Sequence, residues 1–285
     1  MDIAISTNIS YCVGVQRTLN LVEELIRNNP EKTFYMLGEI VHNEFVIHDL
    51  ESRGLRIVRS LEAIPERANV IIQSHGASRA AVERLRAKKA RIIDATCPMV
   101  KLIHKKIVRL VQDGYFPVII GRKGHDEVMG IAGQVQESII VGSAEEVRPE
   151  SFDSLSKVGI VIQSTYVRSD ALAVVDRIKA LVPEVKLEDT ICRPTTDRQE
   201  EVRRVADEFD CIVIVGSKTS ANTRHLYELA SGHKACVYLV DDPDQVPLLA
   251  IPPESSIFVT SGASTPMYLV ERVLSHLQDR DRITA

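Results

Sequence analysis

Short runs rich in Val and Ile alternate with amphipathic helical stretches along almost the whole chain. The strand-like runs include Asp2–Ser6, Thr33–Leu37, Asn69–Gln73, Arg91–Asp94, Pro117–Ile120, Ser138–Val141, Gly159–Ile162, Cys211–Val215, Val237–Val240 and Ser256–Thr260. Most are apolar throughout and bounded by polar or Gly residues, as strands covered on both faces should be. Val15, Leu19, Val22 and Ile26 share one face of a helix that stops at Asn29–Pro30. Met99, Ile103, Ile107, Leu110 and Val111 mark a second, and Val270, Val273, Leu274 and Leu277 a third. Strands that alternate with helices need crossover connections, so the sequence predicts an α/β fold with small, mostly parallel sheets.

The 285 residues carry a net charge of −4, too mild a field to suggest nucleic-acid or membrane-surface binding. Any anion site must come from a local cluster of donors. The N-terminus lacks a basic segment followed by a long apolar one, and no apolar run reaches the length of a membrane span. A cytoplasmic location is expected. Five cysteines, an odd count, then argue against a disulfide framework and leave core, redox or metal-ligating roles.

The cysteines fall into two groups. Cys12, Cys97 and Cys192 lie 85 and 95 residues apart (97 − 12 and 192 − 97), and each precedes a helical stretch. Pro98 follows Cys97, and after Cys192 come Thr196 and Gln199 at capping-box spacing. Backbone N–H groups at helix starts favour a thiolate and an anionic cluster bound to it. The recurrence suggests three similar α/β units, 14–97, 98–192 and 193–285, the last completed by strand 1–13. Cys211 and Cys236 sit in or beside apolar strands and read as core residues. Three thiolates can hold zinc or an iron–sulfur cluster. Without CxxC pairs, three distant ligands suit a cluster with one iron open to substrate.

His42, His75 and His125 occur in polar turn settings, and His75 and His125 each follow a strand-like run. In open parallel sheets ligands bind at that carboxyl end. His48, His104, His225 and His233 read as solvated or incidental. Two further strands end in polar loops, Gly216-Ser-Lys-Thr-Ser-Ala-Asn222 and Ser261-Gly-Ala-Ser264. Singly these are ordinary helix caps. Together with the histidines they could take a phosphate or diphosphate. Glu127 is the acid candidate there, provided burial raises its pKa; an exposed Glu at a helix start is the alternative.

Read in order, Cys12-Val-Gly-Val, Glu39-Ile-Val-His-Asn43, Ser74-His-Gly, Asp94-Ala-Thr-Cys-Pro98, Gly124-His-Asp-Glu127, Gln163-Ser-Thr165, Ile191-Cys192, Thr195-Thr-Asp-Arg-Gln199 and the two polar loops form a specific pattern. The chain resembles, over nearly its full length, the LytB/IspH family of 4-hydroxy-3-methylbut-2-enyl diphosphate reductases. The resemblance implies a trefoil of three α/β units around a [4Fe–4S] cluster ligated by Cys12, Cys97 and Cys192. It implies a diphosphate held by His42, His75, His125, Ser220, Asn222 and Ser264, with Glu127, Ser164 and His125 serving catalysis. Ser164 would also contact substrate, and a ferredoxin or flavodoxin would deliver electrons. Departures are Ser164 in place of the usual Thr, Ala221 in place of a second Ser, Met129 in place of Glu, and Tyr11 before the first cysteine. Other readings are a paralogue acting on another small diphosphate and a non-catalytic iron–sulfur or zinc sensor on the same scaffold.

Overall fold

A computed structural model of the chain describes residues 2–41, 43–233, 236–252 and 254–284. It opens with β1 (Asp2–Ile5) and α1 (Val13–Asn28). Next come β2 (Phe34–Leu37), α2 (Glu44–Ser52), β3 (Leu55–Val58), β4 (Asn69–Ile72), α3 (Arg79–Ala87) and β5 (Arg91–Asp94). They are followed by α4 (Pro98–Gln112), β6 (Phe116–Ile120), α5 (Asp126–Ala132), β7 (Ile139–Val141), β8 (Lys157–Ile162), α6 (Arg168–Lys179) and β9 (Glu184–Glu188). The last elements are α7 (Arg193–Val205), β10 (Cys211–Val215), α8 (Ala221–His233), β11 (Val237–Val240), β12 (Ser256–Ser261) and α9 (Met267–Thr284).

The strands form three four-stranded sheets, in the orders β1-β12-β10-β11, β5-β4-β2-β3 and β9-β8-β6-β7, and every pairing is parallel. The α/β class with small parallel sheets is therefore as the alternation requires. Two strands, β3 and β9, have no counterpart among the runs picked out above. Both are sheet edges, and Arg56, Glu184, Lys186 and Glu188 interrupt their apolar pattern. An edge strand tolerates such charges because one side meets water.

The chain divides into two compact units. One takes in Met1–Gln16, Val41–Ile47 and Arg193–Ala285; the other takes in Arg17–Ile40 and His48–Cys192. In the first, α9 covers one face of the β10 sheet through Val270, Val273 and Leu277, while α7 and α8 cover the other through Val202 and Leu226. In the second, the β6–β9 sheet lies between α6 (Val174, Ile178) and the α4–α5 pair (Ile103, Ile107, Ile131). Each fully buried Val or Ile contributes about 1.5–3 kcal/mol of burial energy, which makes these continuous apolar strands the natural core.

Two expectations need correction. Cys211 and Cys236 form a disulfide, with Cα atoms 4.8 Å apart. Pairing of Ile212 with Val237 in adjacent parallel strands brings Cys211 opposite Cys236. The odd cysteine count thus resolves into one bridge and three cysteines outside it. Thr196 and Gln199 are no capping box either, because α7 already begins at Arg193 and both lie inside it.

Candidate active site

Each of the three cysteines outside the disulfide is the residue before a helix: Cys12 before α1, Cys97 before α4 and Cys192 before α7. All three are half-buried. Their settings repeat. The chain leaving an edge strand, β1, β5 or β9, reaches a cysteine whose N–H donates to the loop after the neighbouring strand. Cys12 donates to the Ala263 carbonyl at 3.1 Å, Cys97 to Ser74 at 3.0 Å and Cys192 to Ser164 at 2.9 Å. Ser264, His75 and Ser164 itself are the polar candidates those loops carry. The Val15 N–H also points to the Cys12 thiol at 3.5 Å, the kind of backbone donor that favours a thiolate.

In the Arg17–Cys192 unit, Glu127 sits in the first turn of α5 and is buried rather than exposed. Its Oε1 accepts from the Ser164 N–H at 2.6 Å and its Oε2 from the Ser164 hydroxyl at 2.8 Å. Burial pushes its pKa up, against these two bonds, which favour the charged form. His125 caps α5, its Nδ1 accepting from the Glu127 N–H at 3.2 Å. The His75 ring meets the His125 ring edge to face, with centroids 5.3 Å apart. His75 Nδ1 lies 2.5 Å from Gln73 Oε1. The structure thus brings His75, His125, Glu127 and Ser164 together at the carboxyl ends of β4, β6 and β8. His42 lies outside the described residues.

In the other unit, Ser220, Asn222 and Ser264 are all buried at the carboxyl ends of β10 and β12. The Ser264 hydroxyl donates to that of Ser220 at 3.3 Å. Among the described residues, both polar atoms of the Asn222 amide are buried without a hydrogen-bond partner, as is the Thr223 hydroxyl. Gly262 allows Thr223 this position, since a Cβ there would lie 2.0 Å from its Oγ1. Arg198, buried in α7, holds the loop before Cys12 by donating to the Ser10 carbonyl at 2.7 Å.

Several of these residues escaped the sequence reading. Thr223, Arg198, Gln73 and Asp126 lie within the quoted motifs or next to them, yet nothing local distinguishes them from surface polar residues. His104 was misread as solvated or incidental. Its Nε2 is buried without a partner, and burial pushes its pKa down to about 4, against the pull of the Asp94 charge. It lies where a Cβ at Gly76 would come within 2.7 Å of its ring. Among the described residues, no group of three or more His, Cys, Asp or Glu converges to hold a single metal ion. No described helix is long and apolar enough to cross a membrane.

The fold and these side chains define a parallel α/β protein in which three cysteines outside the disulfide, one before each of three helices, stand beside polar strand-end loops. The chain belongs to the LytB protein family, whose pattern it matches over residues 3–278. The 4-hydroxy-3-methylbut-2-enyl diphosphate reductase of Dechloromonas aromatica (strain RCB) is 35% identical over 281 residues, covering 98% of this chain and 92% of that protein. That of Clostridioides difficile (strain 630) is 31% identical over 280 residues, covering 98% and 100%. A solved (E)-4-hydroxy-3-methyl-but-2-enyl diphosphate reductase, the terminal enzyme of the non-mevalonate pathway, superposes with a TM-score of 0.72 at 34% identity, covering 98% of this chain and 99% of that one. The E-1-hydroxy-2-methyl-but-2-enyl-4-diphosphate reductase from Plasmodium falciparum gives 0.90 at 27% identity, covering 97% and 88%.

Proposed function

We propose that this chain is an oxidoreductase that converts 4-hydroxy-3-methylbut-2-enyl diphosphate to isopentenyl and dimethylallyl diphosphate. The reaction takes up two electrons and two protons and releases the allylic hydroxyl as water. The observation that carries the reading is the connection Glu127–Ser164–Cys192: one serine bonds a buried carboxyl through its hydroxyl and the Cys192 N–H through its carbonyl.

Cys12, Cys97 and Cys192 would each ligate one iron of a [4Fe–4S] cluster, one cysteine from each of the three α/β units, 14–97, 98–192 and 193–285 with 1–13. The donor set fits, since all three cysteines lie outside the disulfide and directly precede helices. A cluster spreads its ligands over different irons, so they need not converge on one point. When bound, it would supply the electrons and a Lewis-acidic iron for the departing oxygen.

Glu127 holds the proton for that oxygen. With the proton on its Oε2, the Ser164 hydroxyl becomes an acceptor from the acid and turns its own O–H outward, so a proton passes by exchange along the pair. His42, His75, His125, Ser220, Asn222 and Ser264 bind the diphosphate, remote from the reacting carbon, which fixes the substrate's orientation. Asn222 supports this role because its buried amide has no partner among the described residues, the state expected of a group that a ligand satisfies. The electron donor would be a ferredoxin or flavodoxin, and the setting cytoplasmic.

Anaerobically purified protein tests the reading. It should be brown, carry about four irons per chain, and yield both C5 diphosphates when reduced viologen supplies electrons. Stoichiometric zinc, no iron and no turnover after cluster reconstitution would overturn it.

A further inference from the structure

We propose that Glu201 is a positioning residue for Cys12, its carboxylate holding the strained loop on which that cysteine stands. The role of Cys12 as a ligand rests on the cluster reading above; the hold on the loop does not.

The three cysteines end loops of unequal length. Residues 95–97 separate β5 from α4, and residues 189–192 separate β9 from α7. The loop between β1 and α1 is longer, running over residues 6–12. Each added residue carries conformational entropy that contacts must offset. Ser10 adds strain, with φ at +67°, a left-handed conformation that persists in a non-Gly residue only where its surroundings hold it.

The anchors come largely from α7. Arg198 and Glu201, three residues apart, lie on one face of that helix, and both are buried. Arg198 donates to the Ser10 carbonyl, as described above. The Ser10 N–H donates to Ser261 Oγ at 2.7 Å, and its hydroxyl donates to the Thr265 carbonyl at 3.0 Å. Upstream, Glu201 Oε1 accepts from the Thr7 N–H and the Thr7 hydroxyl, both at 3.0 Å. Its Oε2 accepts from the Ser6 hydroxyl at 2.6 Å and from the Asn8 amide at 3.2 Å. Burial alone would raise the Glu201 pKa, but the bonds from Ser6, Thr7 and Asn8 outweigh it and keep the group charged, below its ordinary range. Only a carboxylate accepts through both of its terminal atoms; a Gln would turn its NH2 toward one pair of donors. Ser10 is thus pinned between Glu201 before it and the bond from the Cys12 N–H to Ala263 after it. Loss of the first lets the strained residue relax and carry Cys12 with it.

Two measurements on the anaerobically purified full chain test this: hydrogen exchange resolved to single amides, and release of bound iron to a chelator. The Ser10 and Cys12 amides do not bond Glu201. In Glu201→Ala both should nevertheless exchange about tenfold to a hundredfold faster, the range expected when bonds to a charged group are lost. Iron should leave faster as well. Glu201→Gln, which keeps one pair of bonds, should move both readings the same way by less, and it carries the test if Glu201→Ala does not fold. Cys211→Ser, which lowers stability at the far end of the same sheet, should change neither. Unchanged Ser10 and Cys12 exchange in the Glu201 variants would overturn the proposal. So would an equal acceleration in Cys211→Ser, since Glu201 would then act only through overall stability. If exchange accelerates as expected but wild type binds no iron, the cluster reading fails and the hold of Glu201 on the loop stands.

Discussion

The polar groups around Asn222 and those around Glu127 are prepared in opposite ways. Around Ser220 and Ser264, the Asn222 amide and the Thr223 hydroxyl are buried without partners. Around Glu127, both carboxyl oxygens are engaged by Ser164, His125 by the Glu127 N–H, and His75 by Gln73. An unsatisfied buried polar group costs about 1–3 kcal/mol and persists where a ligand satisfies it. A satisfied network instead fixes where protons sit. On the proposed reading, the unpartnered Asn222 amide is left for the diphosphate, while the Glu127–Ser164 pair keeps a proton for the reaction.

The largest expected break comes from the thiols. Cys12→Ser, Cys97→Ser or Cys192→Ser should each abolish turnover and cut the iron content; full activity in any of them removes that residue from the ligand set. Glu127→Gln should lower kcat by about 10²–10⁴, the usual worth of a positioned proton donor. Stability should respond the other way. The folded-state pKa of Glu127 lies above the unfolded one, so as pH rises past the unfolded value the folded state holds a proton that the unfolded state has lost, and stability falls. A neutral amide removes that penalty, so the melting temperature at pH 7 should hold or rise. Wild-type turnover should decline as pH climbs through the raised pKa; equal kcat in both proteins contradicts the donor role.

Asn222→Ala gives a smaller effect of another kind. It removes an unpartnered amide, so KM should rise about tenfold to a hundredfold while melting is unchanged or improved. A large loss of stability would show the amide to be structural. Cys211→Ser is the control, because its disulfide lies at the amino ends of β10 and β11, away from the strand-end loops. Opening a bridge that spans 25 residues should cost about 3 kcal/mol and leave turnover unchanged. Denaturant melts and steady-state rates separate the two.

Central strands were legible because both faces are buried, which writes an unbroken apolar run into the sequence at β8, β10 and β12. The charged edges β3 and β9 carry no such signature. Cys97 announced its helix start through Pro98, but the Cys211–Cys236 bridge depends on the register of two strands and has no local mark. Glu127 was recognisable as an acid, while its burial and its pairing with Ser164 arise from the meeting of α5 with the β8 loop. Gln73 and Asp126 were hidden for the same reason, being 53 residues apart. His104 misled because a polar residue beside three lysines on an amphipathic helix reads as solvated until the turn packed over it is known.

Turnover of Asn222→Ala and Glu127→Gln at saturating hydroxybutenyl diphosphate, each against wild type, tests the contrast between the proposed roles of Asn222 and Glu127 most directly. Saturation should restore the wild-type kcat to Asn222→Ala and leave Glu127→Gln slow. A kcat that stays low in Asn222→Ala with an unchanged KM, or that recovers in Glu127→Gln, would contradict it.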